Sequence, residues 1–378
     1  MGIESSPVVA DDSGFRRLKV DGLGSLAPIE LELGRLTVLV GPNGSGKSNL
    51  LRALRMLALM RTGSLQRLVG EEGGASSLLH YGPKITKTLT LSIEFVQEGH
   101  RNTYEAHLGH AAGDRLLYLD EVVGHQPPDS DELRTTSLGA SHWESLLRDA
   151  KDHNVAARTT NYWLSRLTYF HFHDTSANSA LRTNARLADD RYLRSDGSNL
   201  AAYLYRLANS EVSAELKAWR RINSYVRRIS PAVHELAPTA VGESHARLDW
   251  TDDKGERFGC SQLSDGTLRA IALVTAFSQP ISALPKLMSI DEPELGLHPA
   301  ALQIVAELSR SVCHHSQVIF ATQSTAFLDY FEPEEIRIVE RRQHKSDIKR
   351  PEVEKLEEWL EDYSLGEVFQ KGVMGGRP

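Results

Sequence analysis

The run Gly41-Pro42-Asn43-Gly44-Ser45-Gly46-Lys47-Ser48 has the residue types and spacing of a phosphate cradle, G-x-x-x-x-G-K-[ST]. Glycines let successive backbone N–H groups curl around a β-phosphate with no Cβ in the way. A helix start adds the positive end of its dipole. Lys47 has the reach for the β- and γ-phosphates, and the Ser48 hydroxyl is a ligand for Mg2+. The expected nucleotide contacts are Asn43, Gly44, Ser45, Gly46, Lys47, Ser48 and Asn49. The flanks give the motif the context it needs. Leu36-Thr37-Val38-Leu39-Val40 reads as a strand, and Asn49-Leu50-Leu51-Arg52-Ala53-Leu54 as the start of a helix. The segment predicts binding of a nucleoside triphosphate, namely ATP with Mg2+.

A phosphate cradle alone does no hydrolysis. That needs a carboxylate for the metal and a group to handle the attacking water. Lys286-Leu287-Met288-Ser289-Ile290-Asp291-Glu292-Pro293 supplies both. An apolar strand would deliver Asp291 to its carboxyl end to hold Mg2+ through water. Glu292, one residue on, is placed to accept the water's proton. Upstream, Gln262-Leu263-Ser264-Asp265-Gly266-Thr267-Leu268-Arg269 reads as a helix start. There the Asp265 side chain would cap the helix. Further on, Gln317-Val318-Ile319-Phe320-Ala321-Thr322-Gln323-Ser324 reads as a buried strand and its exit loop.

Leu263-Ser264-Asp265-Gly266 resembles the L-S-G-G signature of ABC-type ATPases, with Asp265 in place of a glycine. Glu294-Leu295-Gly296-Leu297-His298-Pro299 looks like the D-loop that follows the acidic pair in such proteins. Roughly 215 residues separate Ser48 from Ser264, too few for the long coiled coils of SMC-type proteins, and no sustained heptads appear. The chain is similar to bacterial ATPases of the RecF, OLD and SMC-like group with a compact head. Gly73–Gly82, Glu358–Gly366 and Gly375–Pro378 share in that likeness.

The resemblance implies an α/β P-loop NTPase fold. That fold is an ABC-type head with a mixed N-terminal β lobe, a parallel core sheet and a short helical insertion. It implies a homodimer or higher homo-oligomer closed through the ATP sites. Ser264, Asp265 and Gly266 of one copy would serve the nucleotide held by the other. It puts Gln323 where many relatives carry a histidine that senses the γ-phosphate. A glutamine can hydrogen-bond but carries no charge, so slow hydrolysis is expected, with Glu292 and Gln323 as the catalytic pair. The implied role is an ATP-gated partner effector, such as a TOPRIM-type nuclease, in anti-phage defence. The chain ends at Pro378, so that nuclease is expected to be a separate subunit. The alternative is a RecF-like ATPase that binds DNA in repair. A transporter subunit is disfavoured by the insertion and by Asp265, and a scaffold that hardly turns ATP over has only Gln323 to suggest it.

The elements that must position these groups are legible in part. The expected segments are 1–130 (ATPase lobe with the phosphate loop), 131–232 (mainly helical insertion) and 233–378 (lobe with signature, acidic pair, D-loop and switch loop). Residues 15–40, 88–95 and 102–108 alternate like strands. Residues 70–82 read as a loop, 125–140 as a boundary and 141–229 as mostly helical with a strand at 167–172. Helix and buried strand alternate after Ser264, which implies a parallel sheet, and 352–369 reads as one amphipathic helix.

The chain has 378 residues, 40% of them hydrophobic and 25% charged, with a formal charge of −7. Those proportions suit a globular protein with two or three cored lobes, and they leave nucleic-acid contact to a local patch. Two cysteines, Cys260 and Cys313, point to a reducing, cytoplasmic setting without disulfides. No run approaches 18 apolar residues, so no membrane association is expected. Met1–Ser6 lacks a secretory signal and fits a myristoylation pattern only loosely.

Five signals are weaker, and four of them have two readings each. His171 and His173 share one face of a strand, as metal ligands or as a polar edge. His314 and His315 read as solvent-facing. Gln66 is either the glutamine that couples Mg2+ to the arm of ABC-type heads or a surface residue. Arg52 and Arg55 are phosphate contacts or surface charges. Trp219-Arg220-Arg221 to Tyr225-Val226-Arg227-Arg228 is a nucleic-acid stripe or a solvated helix face.

Overall fold

The computed structural model describes residues 13–375; the N-terminal Met1–Ser6 pattern and residues 376–378 lie outside them. The chain divides into two compact units, one of residues up to 34 with 59–165, the other of 35–58 with 166 onward.

The first unit is built on a six-stranded antiparallel sheet. Its order is Ile29–Glu32, Gly14–Asp21, Thr88–Gln97, His100–Ala111, Arg115–Gln126 and Arg134–Gly139. Strict alternation buries Leu89, Leu91, Ile93 and Phe95 on one face. Trp163, from helix Val155–Ser165, stacks on Phe95 at 5.0 Å and meets Phe15 edge-on at 5.2 Å. Burying such a side chain contributes about 2–3 kcal/mol. At a bulge between Glu121 and Val122, the buried Glu121 carboxylate accepts from Tyr104 at 2.8 Å, Ser145 at 2.5 Å and the Leu146 N–H at 2.8 Å, which makes a buried charge tolerable.

The second unit is doubly wound. Its sheet order is Lys345–Lys349, Ile336–Arg342, Leu36–Val40, Gln317–Thr322, Leu287–Asp291 and Leu167–Phe170. All neighbours are parallel except the antiparallel edge pair 336–342 and 345–349. Leu36–Val40, Leu287–Asp291 and Gln317–Thr322 are buried along their whole length, as strands covered on both faces must be. Helices Asp265–Phe277 and Pro299–Val312 pack into the same core, with every residue of the former buried from Leu268 onward.

These units cut the chain elsewhere than the segments 1–130, 131–232 and 233–378. The phosphate-loop strand pairs with 317–322 and 336–342, which ties residues 35–58 to the distant C-terminal half. The expected boundary at 125–140 is instead a strand pair within the antiparallel sheet, with His125 opposite Arg134. The stretch 70–82 is not all loop, since it includes helix Ala75–Leu78 and the end of helix Leu65–Glu71. The expected tail helix is two, Val353–Leu360 and Leu365–Gln370. Ser364 caps the second with its hydroxyl on the Glu367 N–H, and an N-cap residue starts a helix rather than continuing one.

Candidate nucleotide-binding site

Strand register sets the site. Val40 pairs with Thr322, and Asp291 with Ala321. The phosphate loop, the acidic pair and the switch loop therefore leave the sheet side by side at its carboxyl edge, where doubly wound sheets bind ligands. Phe170 pairs with Ile290, so the next chain segment runs out beside Asp291, and His173 Nε2 lies 2.9 Å from the Asp291 carbonyl oxygen.

The phosphate loop is shaped by its glycines. Gly44 and Gly46 have φ of 74° and 114°, open to glycine at little cost. A Cβ on Gly41 would lie 2.0 Å from the Val339 carbonyl oxygen, so the neighbouring strand excludes any side chain there. Helix Lys47–Met60 starts at the loop's end. Lys47 is buried, and its Nζ donates to the carbonyls of Gly41 at 2.7 Å and Pro42 at 3.1 Å. Burial pushes its ammonium pKa down, opposed by the charges of Asp291, Glu292 and Glu294. Asn43 and Gly44 are exposed at the loop tip, and Asn49 Oδ1 accepts from Arg52 at 3.0 Å.

Asp291 hydrogen-bonds the Ser48 side chain. Burial lifts its carboxyl pKa, opposed by that bond and by His173. Glu292 takes a left-handed backbone, φ 44°, and its N–H donates to Ala321 O at 2.8 Å. A non-glycine residue there is strained. The Gln323 amide donates to Glu292 Oε1 at 3.0 Å. Glu294, for which the sequence suggested no chemistry, accepts from the Thr322 hydroxyl at 2.7 Å and from the Gln323 N–H at 3.2 Å, and burial lifts its pKa.

Three buried oxygens here, Ser45 Oγ, Asp291 Oδ1 and Glu294 Oε2, have no hydrogen-bond partner among the described residues. Buried polar atoms are ordinarily paired. An oxygen-only set with few protein ligands suits a hard cation such as Mg2+, which keeps waters and phosphate oxygens as its other ligands. The residues fit a nucleotide with a divalent metal.

Ser264, Asp265 and Gly266 form a second group on the exposed start of helix Asp265–Phe277. The capping expectation is corrected here. Ser264 is the N-cap, accepting from the Thr267 N–H at 3.1 Å, while Asp265 is the first helical residue and pairs with Arg182 at 2.7 Å. A Cβ on Gly266 would lie 2.2 Å from Gly296 O, so the segments around Gly266 and Gly296 are in contact within one chain. The buried Arg269 ties two segments to its helix, donating to Phe172 O at 2.9 Å, His173 O at 2.8 Å and Leu295 O. Nothing in the sequence pattern gives Arg182 or Arg269 a role, because their partners are remote along the chain.

The weaker signals fall as follows. His173 is tied to the Asp291 backbone, and burial, then Arg55, lowers the His171 pKa. His314 and His315 are exposed. Gln66 lies in the first unit, its amide donating to the carbonyls of Leu116 and Trp143, both at 2.7 Å. Both cysteines are free, and burial pushes their thiols up to about 11 for Cys260 and about 12 for Cys313, which makes them poor nucleophiles.

Solved structures share this fold. An Smc head bound to the C-winged helix domain of ScpA aligns with a TM-score of 0.56 at 17% identity, covering 89% of this chain and 97% of that one. The Smc head with extended coiled coil bound to the C-terminal domain of ScpA derived from Pyrococcus furiosus aligns at 0.57 and 16%, covering 93% and 99%. The SMC head from Thermotoga maritima gives 0.50 and 14%, covering 90% and 99%. The fold is that of a P-loop NTPase of ABC-type, SMC-head architecture. No curated protein matches the chain significantly. Residues 36–329, from the phosphate-loop strand to just beyond the switch loop, match one family model, and the chain belongs to that family, described as "AAA domain, putative AbiEii toxin, Type IV TA system".

Proposed function

We propose that the chain binds ATP and Mg2+ between two copies, hydrolyses the ATP slowly, and uses the ATP-bound dimer to gate a partner effector. The observation that carries the reading is the shared carboxyl edge of strands 36–40, 317–322 and 287–291, which gathers Lys47, Ser48, Asp291, Glu292 and Gln323. In this reading, the loop N–H groups and Lys47 bind the triphosphate, and Ser48 and Asp291 hold the metal. That metal would supply charge neutralisation for the transferring phosphate. Glu292 takes the proton of the attacking water through a carboxylate oxygen, and Gln323 orients that water. Ser264 and the first N–H groups of helix 265–277 complete the site of the other copy.

The partner is a separate effector such as a TOPRIM-type nuclease, acting in anti-phage defence in the cytoplasm. The match to a family described as a toxin of a toxin–antitoxin system supports a gated effector role, and Smc heads bound to ScpA domains show that such a fold can carry a partner. No helix among the described residues is long and apolar enough to cross a membrane. Phosphate release by the whole chain with ATP and Mg2+, beside the Lys47→Ala variant, tests the reading. Release that Lys47→Ala does not diminish would remove it.

One observation favours the RecF-like reading, in which the dimer binds DNA. Trp219, Arg220, Arg227 and Arg228 line a cleft of about 450 Å³ on helix Ser213–Ile229. Arg220 has no partner among the described residues and is exposed. Against that, Glu235 lines the same cleft and Glu307 pairs with Arg228 at 3.3 Å. Duplex DNA that raises the hydrolysis rate, with loss of the effect in Arg220→Glu, would favour DNA over the effector.

A further inference from the structure

A carboxylate at the signature position is an electrostatic problem for a segment meant to meet a triphosphate, and the structure contains a local answer. Arg182 ends a short helical turn, Ala180–Arg182. Its Nη2 donates to Asp265 Oδ1 at 2.7 Å and to Leu263 O at 3.1 Å, its Nη1 to Cys260 O at 2.8 Å, and its Nε to Thr175 O at 2.8 Å. The guanidinium side chain is only 9% exposed, whereas the Asp265 side chain is 67% exposed. A buried fork thus grips an exposed carboxylate and two carbonyls of the segment leading into the helix.

Such a fork is planar and always charged, so it fixes direction as well as charge. Asp265 also accepts from the Thr175 side chain, and these contacts, Arg182 first, hold its pKa below the usual carboxylate value. Asp265 is therefore ionised at neutral pH, and its charge must be cancelled rather than titrated away. Arg269 is the other cation acting on it, but that guanidinium is directed to the carbonyls of Phe172, His173 and Leu295.

We infer that Arg182 is a positioning residue that makes an Asp265-bearing signature compatible with the triphosphate of a second copy. It cancels the carboxylate, and it fixes the carbonyls of Cys260 and Leu263. The Ser264 hydroxyl and the first N–H groups of the helix are then left to face the incoming phosphate. This rests on the proposal that the signature acts across a dimer.

The test is a cycle on the full chain: wild type, Arg182→Ala, Asp265→Gly, the double variant, and Arg182→Lys. Dimer formation with ATP and Mg2+ is read by sedimentation velocity, turnover by phosphate release, and monomer affinity with a fluorescent ATP analogue. Arg182→Ala should weaken dimerisation and turnover by roughly tenfold or more with affinity unchanged, the scale of one lost charge-assisted contact. In the Asp265→Gly background the same substitution should cost no more than about threefold, because the charge it masks is gone. Arg182→Lys should lose less than Arg182→Ala.

A merely structural role predicts equal losses in both backgrounds, and that result would overturn the inference. So would an Arg182→Ala protein that dimerises like wild type. If Arg182→Ala does not fold, the inference stands only if the double variant folds and dimerises within about threefold of Asp265→Gly. A wild type that forms no dimer with ATP would remove the trans reading itself, and that failure shows in the wild-type arm alone.

Discussion

The Gln323 side-chain amide donates to Glu292 Oε1 at 3.0 Å. The residue proposed to sense the γ-phosphate thus engages the group proposed to take the water's proton. A neutral amide stabilises developing charge less than a histidine that can be protonated. Turnover should therefore be on the order of one per minute or less, far below the roughly 10 per second usual for enzymes. Gln323→His should raise it about tenfold, with ATP affinity little changed. Steady-state phosphate release at saturating ATP, beside wild type, measures this. An unchanged or lower rate would take the switch role away from Gln323.

Asp291 carries a stability cost in the nucleotide-free chain. Burial lifts its carboxyl pKa, so the folded chain binds that proton more tightly than the unfolded one. The cost is absent below the ordinary carboxylate range and appears as pH rises through the raised value. Asp291→Asn should therefore stabilise the nucleotide-free protein at pH 8, and the gain should vanish toward acid pH. The same variant should lose Mg2+-dependent hydrolysis. Thermal melts across pH, without nucleotide, would show it, and a less stable Asp291→Asn at pH 8 would contradict the account of this carboxylate.

Ser264→Arg should leave nucleotide binding by the monomer intact and abolish hydrolysis, since a bulky cation displaces the N-cap hydroxyl and blocks the helix start. Mixed with Lys47→Ala, it should regain at most one working interface of two. Titrating one variant into the other while following phosphate release measures the recovery. Normal hydrolysis by Ser264→Arg alone would remove the signature segment from the site.

The fold class and the grouping of the candidate site residues were more legible in the sequence than the division into units. Lys47, Ser48, Asp291 and Glu292 could be read because the backbone geometry that positions them is written into adjacent residues, in Gly44, Gly46 and the buried strands. The assignment of residues 35–58 to the C-terminal half was not legible, because pairing of Val40 with Thr322 is a long-range contact with no local signature. Strands Arg115–Gln126 and Arg134–Gly139 were missed. The first alternates imperfectly across its bulges, and the second is exposed along much of its length. Arg182 and Arg269 were unreadable for the same reason as the sheet order: an arginine's partners are backbone carbonyls that any residue can offer.

The central claim is an ATP-dependent dimer built on a composite site, and Glu292→Gln tests it most directly. An amide cannot accept the water's proton, so this variant should keep ATP affinity, lose hydrolysis and accumulate as a dimer. Sedimentation velocity of Glu292→Gln with ATP and Mg2+ should show a dimer that reverts to monomer when either is withheld. A variant that sediments identically with and without ATP and Mg2+, while binding nucleotide normally, would contradict the account.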